Sequence, residues 1–163
     1  MANEHDTLAL RPITDSDLPF LYQVYASTRW EELEPTGWPL EQKEEFLRQQ
    51  FTAQHAWWQS QYQATSFDIV EQAGVAIGRL YVARWERELR IVDIALLPEF
   101  RGTGIGTRLI EAVIAEAEAS GRAVRIHVEV FNPARALYDR LGFAPIEDKG
   151  VYLLMERRPR QLT

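Results

Sequence analysis

Three alternating glycines stand where a predicted strand gives way to a predicted helix. Gly102, Gly104 and Gly106 lie in the passage RGTGIG, which begins with Arg101. Glycine tolerates the positive φ angles at which successive backbone N–H groups turn toward one point, and such a concavity binds anions. The N-terminus of the following helix adds partial positive charge. The passage therefore predicts a site for a phosphate or diphosphate group.

Two other glycine-rich phosphate loops do not fit this passage. A Walker loop ends in Gly-Lys-Ser/Thr, whereas Gly106 is followed by Thr107 and Arg108. The dinucleotide fingerprint GxGxxG would need glycine at position 107, and it belongs to a doubly wound parallel sheet. A turn that only packs strand against helix is the remaining interpretation, but three glycines directly after an arginine favour anion binding.

Composition excludes several other kinds of chemistry. The chain has no cysteine, so it cannot use a disulfide, a thiolate zinc site or a cysteine nucleophile. His5, His55 and His127 lack metal-ligand spacing, so we expect no metal. The formal net charge of −6 disfavours nucleic acid, whose phosphates need a basic surface, and favours cationic ligands such as amines.

Signals for targeting or membrane insertion are also missing from the sequence. The N-terminus, MANEHDTLAL, lacks a basic region followed by an apolar run. No apolar stretch approaches the roughly 20 residues that span a bilayer. We therefore expect a cytoplasmic protein without a membrane partner.

Hydrophobic periodicity and turn residues predict the order βααβββαβαββ. The predicted strands are 7–11, 66–71, 75–85, 88–97, 123–130, 143–147 and 151–156. The predicted helices are 18–28, 40–60, one from the glycine passage to 120, and one that Asn132 caps, with Pro133 at its first position and Gly142 at its end. Residues 34–39 are predicted as a loop, and residues 157–163 as a frayed tail. This order indicates a single α+β domain over 1–163, with a mostly antiparallel sheet of about seven strands and helices on both faces.

A second motif lies downstream of the glycines. Residues 132–143 read NPARALYDRLGF, similar to the N-x-x-A-x-x-x-Y-x-x-x-G-F segment of the GNAT N-acetyltransferase superfamily. RGTGIG at 101–106 resembles the R/Q-x-x-G-x-G/A signature of the same superfamily, and LPEF before it resembles the lead-in. Both motifs occur in the expected order within 91–143. The first 65 residues resemble the family only in the order of their elements.

The resemblance implies a binding site for coenzyme A. The glycine loop would hold its diphosphate mainly through backbone amides, while a central parallel pair of strands splays to admit the pantetheine arm. Asn132 would contact that arm, and it would also cap its helix. The implied cofactor-binding residues are Ile94, Leu96, Arg101, Gly102, Thr103, Gly104, Ile105, Gly106, Thr107, Asn132 and Tyr138.

Catalytic roles follow from the same resemblance. The phenol of Tyr138 would donate to the departing thiolate, although its helical stripe alone would suit a core tyrosine. A backbone N–H near Leu96 would stabilise the oxyanion. For the general base we favour Glu129, with Asp93 and His127 as alternatives; strand alternation puts His127 and Glu129 on one face.

Two sets of residues in the first part of the chain could shape an acceptor pocket. Glu31 and Glu32 lie between the first two helices. Four tryptophans lie in or near this segment, and they could either cage a cationic amine or, as we favour, pack in the core. They are Trp30, Trp38, Trp57 and Trp58.

The expected function is acyl-CoA-dependent N-acylation, most simply the transfer of acetyl from acetyl-CoA to a primary amine. The amine would attack directly in a ternary complex, since no residue suits a covalent acyl intermediate. A small molecule, a protein N-terminus and a lysine all stay open as acceptor, and a homodimer stays open as well. Two alternatives are a CoA-binding regulatory module without turnover and an enzyme that binds nucleotide phosphates in the glycine loop.

Overall fold

The computed structural model describes residues 7–160. Its strands are β1 (Leu8–Pro12), β2 (Thr65–Gln72), β3 (Val75–Arg84), β4 (Glu88–Leu96), β5 (Ala123–Glu129), β6 (Ala144–Asp148) and β7 (Tyr152–Arg157). Its α-helices are α1 (Leu18–Arg29), α2 (Leu40–Gln61), α3 (Ile105–Ser120) and α4 (Arg135–Arg140). The seven strands lie in the order β1-β2-β3-β4-β5-β7-β6. The predicted α+β fold with a mostly antiparallel sheet is confirmed.

The described residues fall into two compact units. The first comprises 7–63, 67–79 and 95–101, and the second comprises 64–66, 80–94 and 102–160. Strands β3 and β4 contribute residues to both units. In the first unit, α1 and α2 bury Leu21, Tyr25, Leu47 and Phe51 together with Ile69 of β2.

A capping box formed by Thr14 and Asp17 precedes helix α1. The Thr14 N–H donates to Asp17 Oδ2 at 2.8 Å, and Thr14 Oγ1 approaches the same oxygen at 3.1 Å. Arg11 Nη1 and Nη2 also donate to Asp17, each at 2.8 Å. Asp17 therefore ties β1 to the first turn before α1.

The second unit is built around helix α3. Ile105, Leu109, Val113 and Ala117 recur every four residues, and all four are buried, as the periodicity predicted. The helix ends at Gly121, whose φ is +67°. Strand β5 alternates buried Val124, Ile126 and Val128 with half-buried residues, so one of its faces carries the apolar core.

Three predicted segments differ from the structure. Residues 30–36, partly assigned to a loop, form a 3-10 helix, Trp30–Thr36, which ends at Gly37 in the left-handed conformation. Helix α4 begins at Arg135, two residues after its predicted first position at Pro133. Strand β7 extends through Arg157, whose Nε donates to the Leu141 carbonyl at 3.0 Å, so the strand enters the segment predicted as frayed. Residues 161–163 of that tail, and His5, lie outside the described residues.

A search of residues 7–160 for a helix long and apolar enough to cross a membrane finds none.

Candidate active site

The glycine loop opens toward unfilled space. Gly102 and Gly104 have φ angles of +73° and +87°, which side chains rarely adopt, so glycine is required at both positions. A Cβ added at either residue, or at Gly106, would meet nothing within 4 Å. The first helical bond of α3 runs from the Arg108 N–H to the Gly104 carbonyl at 3.1 Å. The amides before Arg108 in the first turn therefore have no acceptor within the helix, and they are available to an anion.

The parallel strands β4 and β5 separate before β4 ends. Their register covers four pairs, from Glu88↔Ala123 to Ile91↔Ile126. Strand β4 continues past this register to Leu96, and β5 continues to Glu129. On its other side β5 stays paired with β7 as far as Glu129↔Tyr152. In the described part of the chain, both strands therefore continue past their shared register, β4 by five residues and β5 by three.

Strand β4 also changes the direction of its backbone groups. The Arg87 carbonyl, just before the strand, accepts from the Ala123 N–H of β5 at 3.4 Å. If the backbone groups alternated regularly along the strand from Arg87 onward, the Leu97 N–H would also point toward β5. Instead the Leu97 N–H donates to the Ile77 carbonyl of β3 at 2.9 Å. An irregularity of the kind that a β-bulge produces therefore lies between Arg87 and Leu97.

A backbone N–H near Leu96 is the expected oxyanion donor, and the N–H of Leu96 itself has a defined direction. The preceding Ala95 carbonyl points at Gly78 of β3, where a Cβ would overlap its oxygen. No peptide bond in the described chain is cis. Because C=O and N–H point in opposite directions in a trans peptide, the Leu96 N–H points away from β3.

Tyr138 is buried in the second unit. It is 5% exposed, and its ring meets the edge of Phe143 at 5.6 Å between centroids. Burial, and secondarily the negative charge of Asp93, raises the pKa of Tyr138 to about 12. The phenol is therefore protonated at neutral pH and able to donate a hydrogen bond.

Glu129 and Tyr138 lie on opposite faces of β5. Arg157 pairs with Val124 in the register of β5 and β7, and its side chain reaches the end of α4 at Leu141. Helix α4, which carries Tyr138, therefore lies over the face of Val124, Ile126 and Val128. Arg125, His127 and Glu129 alternate with these residues and share the other face.

The candidate bases His127 and Asp93 differ in the charged groups with which they interact. Burial first, and then the positive charges of Arg90 and Lys149, lowers the pKa of His127. His127 is therefore neutral at pH 7, as a base must be. Asp93 lies in β4 beyond the last registered pair, and its charge acts on Tyr138. The sequence had no signal for this coupling between Asp93 and Tyr138, because the two residues lie on elements far apart in the chain.

Asn132 acts as a cap in the structure. Its Oδ1 accepts from the Ala134 N–H at 2.8 Å, directly before α4. It stands six positions before Tyr138, one fewer than in the pattern N-x-x-A-x-x-x-Y. Spacing alone therefore does not equate Asn132 with the asparagine of that pattern, and its contact with a cofactor stays a prediction.

Cations of the protein itself already lie over two of the tryptophan rings in the first unit. Lys43 Nζ lies 5.7 Å from the Trp30 ring centroid, and the Arg79 guanidinium lies 5.3 Å from that of Trp58. Trp38 packs edge-on against Phe46. Trp30 and Trp38 pack against the core of the first unit, as we favoured over a cage for a cationic amine. For Trp57 the prediction of core packing is wrong, because its side chain is 54% exposed.

Glu32 lines a cavity of about 640 Å³ within the first unit, where it pairs with Arg29 at 3.0 Å. Other residues of this cavity are Tyr25, Phe46, Gln54 and Trp57. Within residues 7–160, no group of three or more His, Cys, Asp or Glu side chains could hold a metal ion.

Comparison with known proteins assigns the family. The model of the acetyltransferase (GNAT) family matches residues 25–143, and the chain belongs to that family. This match includes both motifs from which the resemblance was drawn, and it confirms the resemblance.

Individual relatives and solved structures are similar to this chain either over only part of its length or at low sequence identity. The chain is 39% identical over 70 residues to an N-alpha-acetyltransferase of Saccharolobus solfataricus, a match that covers 40% of this chain and 42% of that protein. The fold is similar to that of the PaiA N-acetyltransferase of Thermoplasma acidophilum in complex with coenzyme A, with TM-score 0.69, 19% identity and coverage of 93% and 99% of the two chains. It is also similar to the ribosomal-protein-S18-alanine N-acetyltransferase of Escherichia coli, with TM-score 0.67, 18% identity and coverage of 96% and 97%.

Proposed function

We propose that this protein transfers an acetyl group from acetyl-CoA to a primary amine by direct attack in a ternary complex. The observation that carries the proposal is the loss of register between β4 and β5 just before a glycine loop in which Gly102 and Gly104 have positive φ angles. A thioester carrier with a diphosphate and an extended amide-bearing arm needs both features. Family membership supports the same assignment.

Open space and backbone amides at the glycine loop support the proposed binding site for coenzyme A. Gly102, Gly104 and Gly106 leave room where side chains would stand, and the first amides of α3 are without helical acceptors. Ile94 and Leu96 lie in the part of β4 beyond its register with β5. We propose that the loop residues 101–107 hold the diphosphate through their backbone and that β4 holds the pantetheine arm. The carrier would supply the activated acetyl thioester.

The reaction that we propose makes one bond and breaks one. The neutral amine nitrogen bonds to the thioester carbonyl carbon, the C–S bond breaks with its electron pair on sulfur, and the amine proton passes to a base. The Leu96 N–H polarises the carbonyl oxygen. Holding both substrates together removes most of the entropic barrier to this attack.

Tyr138 is proposed to stabilise the departing sulfur by a hydrogen bond. With a pKa of about 12, the phenol lies well above the reference value of about 8.5 for a thiol. Complete proton transfer to the thiolate would be uphill by about 5 kcal/mol, at about 1.4 kcal/mol for each tenfold step. Tyr138 therefore keeps its proton while it solvates the negative charge.

The acceptor amine sets the demand on the base. At pH 7 an alkylammonium with a reference pKa near 10.4 loses its proton at a cost of about 4.6 kcal/mol, and an α-ammonium near 7.8 at about 1 kcal/mol. We propose Glu129 as the proton acceptor, either directly or through water. Similarity to an N-alpha-acetyltransferase favours the α-amino group of a peptide as the acceptor.

A matched set of peptides tests the proposal. One peptide has a free N-terminus and no lysine, a second has a blocked N-terminus and one lysine, and a third has both amines blocked. We expect acetyl-CoA to release free thiol with the first peptide, and mass spectrometry to show one added acetyl group on its N-terminus. Release only with the second peptide would make lysine the acceptor. Tight binding of acetyl-CoA without turnover on any amine would favour the regulatory module, and no binding of acetyl-CoA would refute the proposal.

A further inference from the structure

The side chain of Arg101 turns away from the glycine loop and onto the end of β4. Its Nε donates to the Leu96 carbonyl at 3.0 Å, and its Nη2 donates to Ser27 Oγ at 3.0 Å. Ser27 Oγ in turn donates to the Val24 carbonyl in α1 at 2.7 Å. A single guanidinium therefore links helix α1 to the last residue of strand β4.

The peptide between Leu96 and Leu97 is held on both of its sides. Its carbonyl accepts from Arg101, and its N–H donates to the Ile77 carbonyl of β3 at 2.9 Å. The two groups of a trans peptide point in opposite directions, so these bonds fix the orientation of the peptide plane. Close packing at Gly78 of β3 further restrains this backbone. A Cβ added at Gly78 would lie only 3.0 Å from the Cα of Leu96.

The two planes that meet at the Cα of Leu96 are therefore both restrained. The plane before it carries the Leu96 N–H, and the plane after it carries the carbonyl that Arg101 holds. Rotation of the second plane changes the ψ angle of Leu96 and shifts its neighbours along the strand. A planar guanidinium suits this role, because its donors diverge at fixed angles toward two acceptors.

We propose that Arg101 is a positioning residue, whose side chain fixes the direction of the Leu96 N–H and does not bind the diphosphate. This inference rests on the proposed function, in which that N–H polarises the acetyl carbonyl. It assigns to the first residue of the glycine passage a task different from that of the glycines, which is to hold phosphate through their amides. Ser27 shares the task, since it orients one arm of the guanidinium.

Kinetics and binding separate this role from phosphate binding. For Arg101→Gln we expect kcat to fall by about 10- to 100-fold, because small displacements of a catalytic group have effects of this size. We expect the Kd of acetyl-CoA to stay within about threefold of wild type, with the same dependence on salt. Ser27→Ala should lower kcat less, and should add little to Arg101→Gln in the double variant because both act through one contact. The matched control is Arg48→Gln, which removes a guanidinium that lies over the Tyr22 ring in the same unit and should leave kcat unchanged.

A measurement that does not require turnover separates this inference from the proposed function. In the protein without substrates, the amide resonance of Leu96 should shift and its hydrogen exchange should speed up in Arg101→Gln and Ser27→Ala, but not in Arg48→Gln. An unchanged Leu96 amide in Arg101→Gln overturns the inference even if the wild-type protein acetylates amines. So does a tenfold or greater loss of acetyl-CoA affinity with kcat retained.

Discussion

The carbonyl oxygen of Ala95 lies where a Cβ of Gly78 would stand. The strands β3 and β4 therefore approach each other more closely at this point than a side chain allows. The Ala95 carbonyl belongs to the same peptide as the Leu96 N–H, which is therefore directed away from β3. A glycine outside the glycine loop thus contributes to the geometry of the candidate site.

Gly78→Ala should destabilise the protein by about 1–3 kcal/mol, the usual cost of forcing extra volume into a packed interior. The new methyl group meets the Ala95 carbonyl and the Leu96 Cα, which are backbone atoms with little freedom to move. Urea denaturation followed by circular dichroism measures the change in the free energy of unfolding. A variant as stable as wild type, with unchanged kcat, would show that the approach of the strands is not required.

Gly106→Leu should have the opposite profile. A Cβ at this position meets nothing within 4 Å, and leucine is favoured over glycine in a helix by somewhat less than about 1 kcal/mol. The family signature allows alanine here but no larger side chain, so we expect the free energy of unfolding to be retained or to rise, while the Kd of acetyl-CoA rises by at least about tenfold because the leucine side chain stands in the proposed phosphate site. Calorimetric titration with acetyl-CoA gives the affinity. Equal affinity in the two proteins would move the diphosphate elsewhere.

Tyr138→Phe should lower kcat strongly and leave acetyl-CoA binding nearly unchanged. Phenylalanine keeps the edge contact with Phe143, so we expect the melting temperature to change little. Loss of a catalytic hydrogen bond reduces the rate by about 100-fold or more. Tyr22→Phe, which removes a hydroxyl in the first unit, is the control. An unaltered kcat in Tyr138→Phe removes the phenol from the mechanism.

Asp93→Asn should lower the pKa of Tyr138 while leaving it above the ordinary value of about 10. Burial is the larger cause of the raised pKa and persists, whereas the charge of Asp93 is the smaller cause and is lost. Titration of the tyrosine ring carbons by NMR gives the value directly. Glu129→Gln serves as the comparison and should leave this titration as it is, because Glu129 lies on the opposite face of β5. A Tyr138 pKa that does not fall in Asp93→Asn contradicts the coupling.

Asp17→Asn should destabilise the protein at neutral pH by about 1–2 kcal/mol, because it removes the charge that accepts hydrogen bonds from Arg11 and Thr14. The guanidinium of Arg11 and, less strongly, hydrogen bonds from Thr14 hold the pKa of Asp17 well below its usual range, against the effect of burial. A carboxyl with a depressed pKa in the folded state stabilises the protein above its unfolded pKa of about 3.9. That stability is lost as the pH falls toward the folded value.

Urea denaturation of wild type and Asp17→Asn between pH 7 and pH 3 tests this effect. The difference in the free energy of unfolding should be largest near pH 7 and should shrink as the pH falls below about 4. A difference that is the same at all pH values would mean that the charge of Asp17 contributes nothing.

Local patterns were sufficient to predict most of the elements. The four-residue spacing of Ile105, Leu109, Val113 and Ala117 gave α3, because burial of one stripe is what stabilises a surface helix. The segment 30–36 was predicted less well. Pro35 and Gly37 indicated a loop, but a 3-10 helix tolerates this sequence when Leu33 is buried beneath it. Burial of that kind depends on contacts with distant residues, which periodicity does not show.

The sequence by itself determined the class of fold, the family and the position of the glycine loop that we propose to bind phosphate. These properties depend on local causes: apolar spacing, turn residues and glycines that permit positive φ. Tertiary structure decided which atoms can act. It showed where β4 leaves β5, it turned Arg101 back onto Leu96, and it brought the charge of Asp93 to bear on Tyr138. Each of these depends on residues far apart in the chain, whose distance and direction are fixed only when the strands and helices pack together.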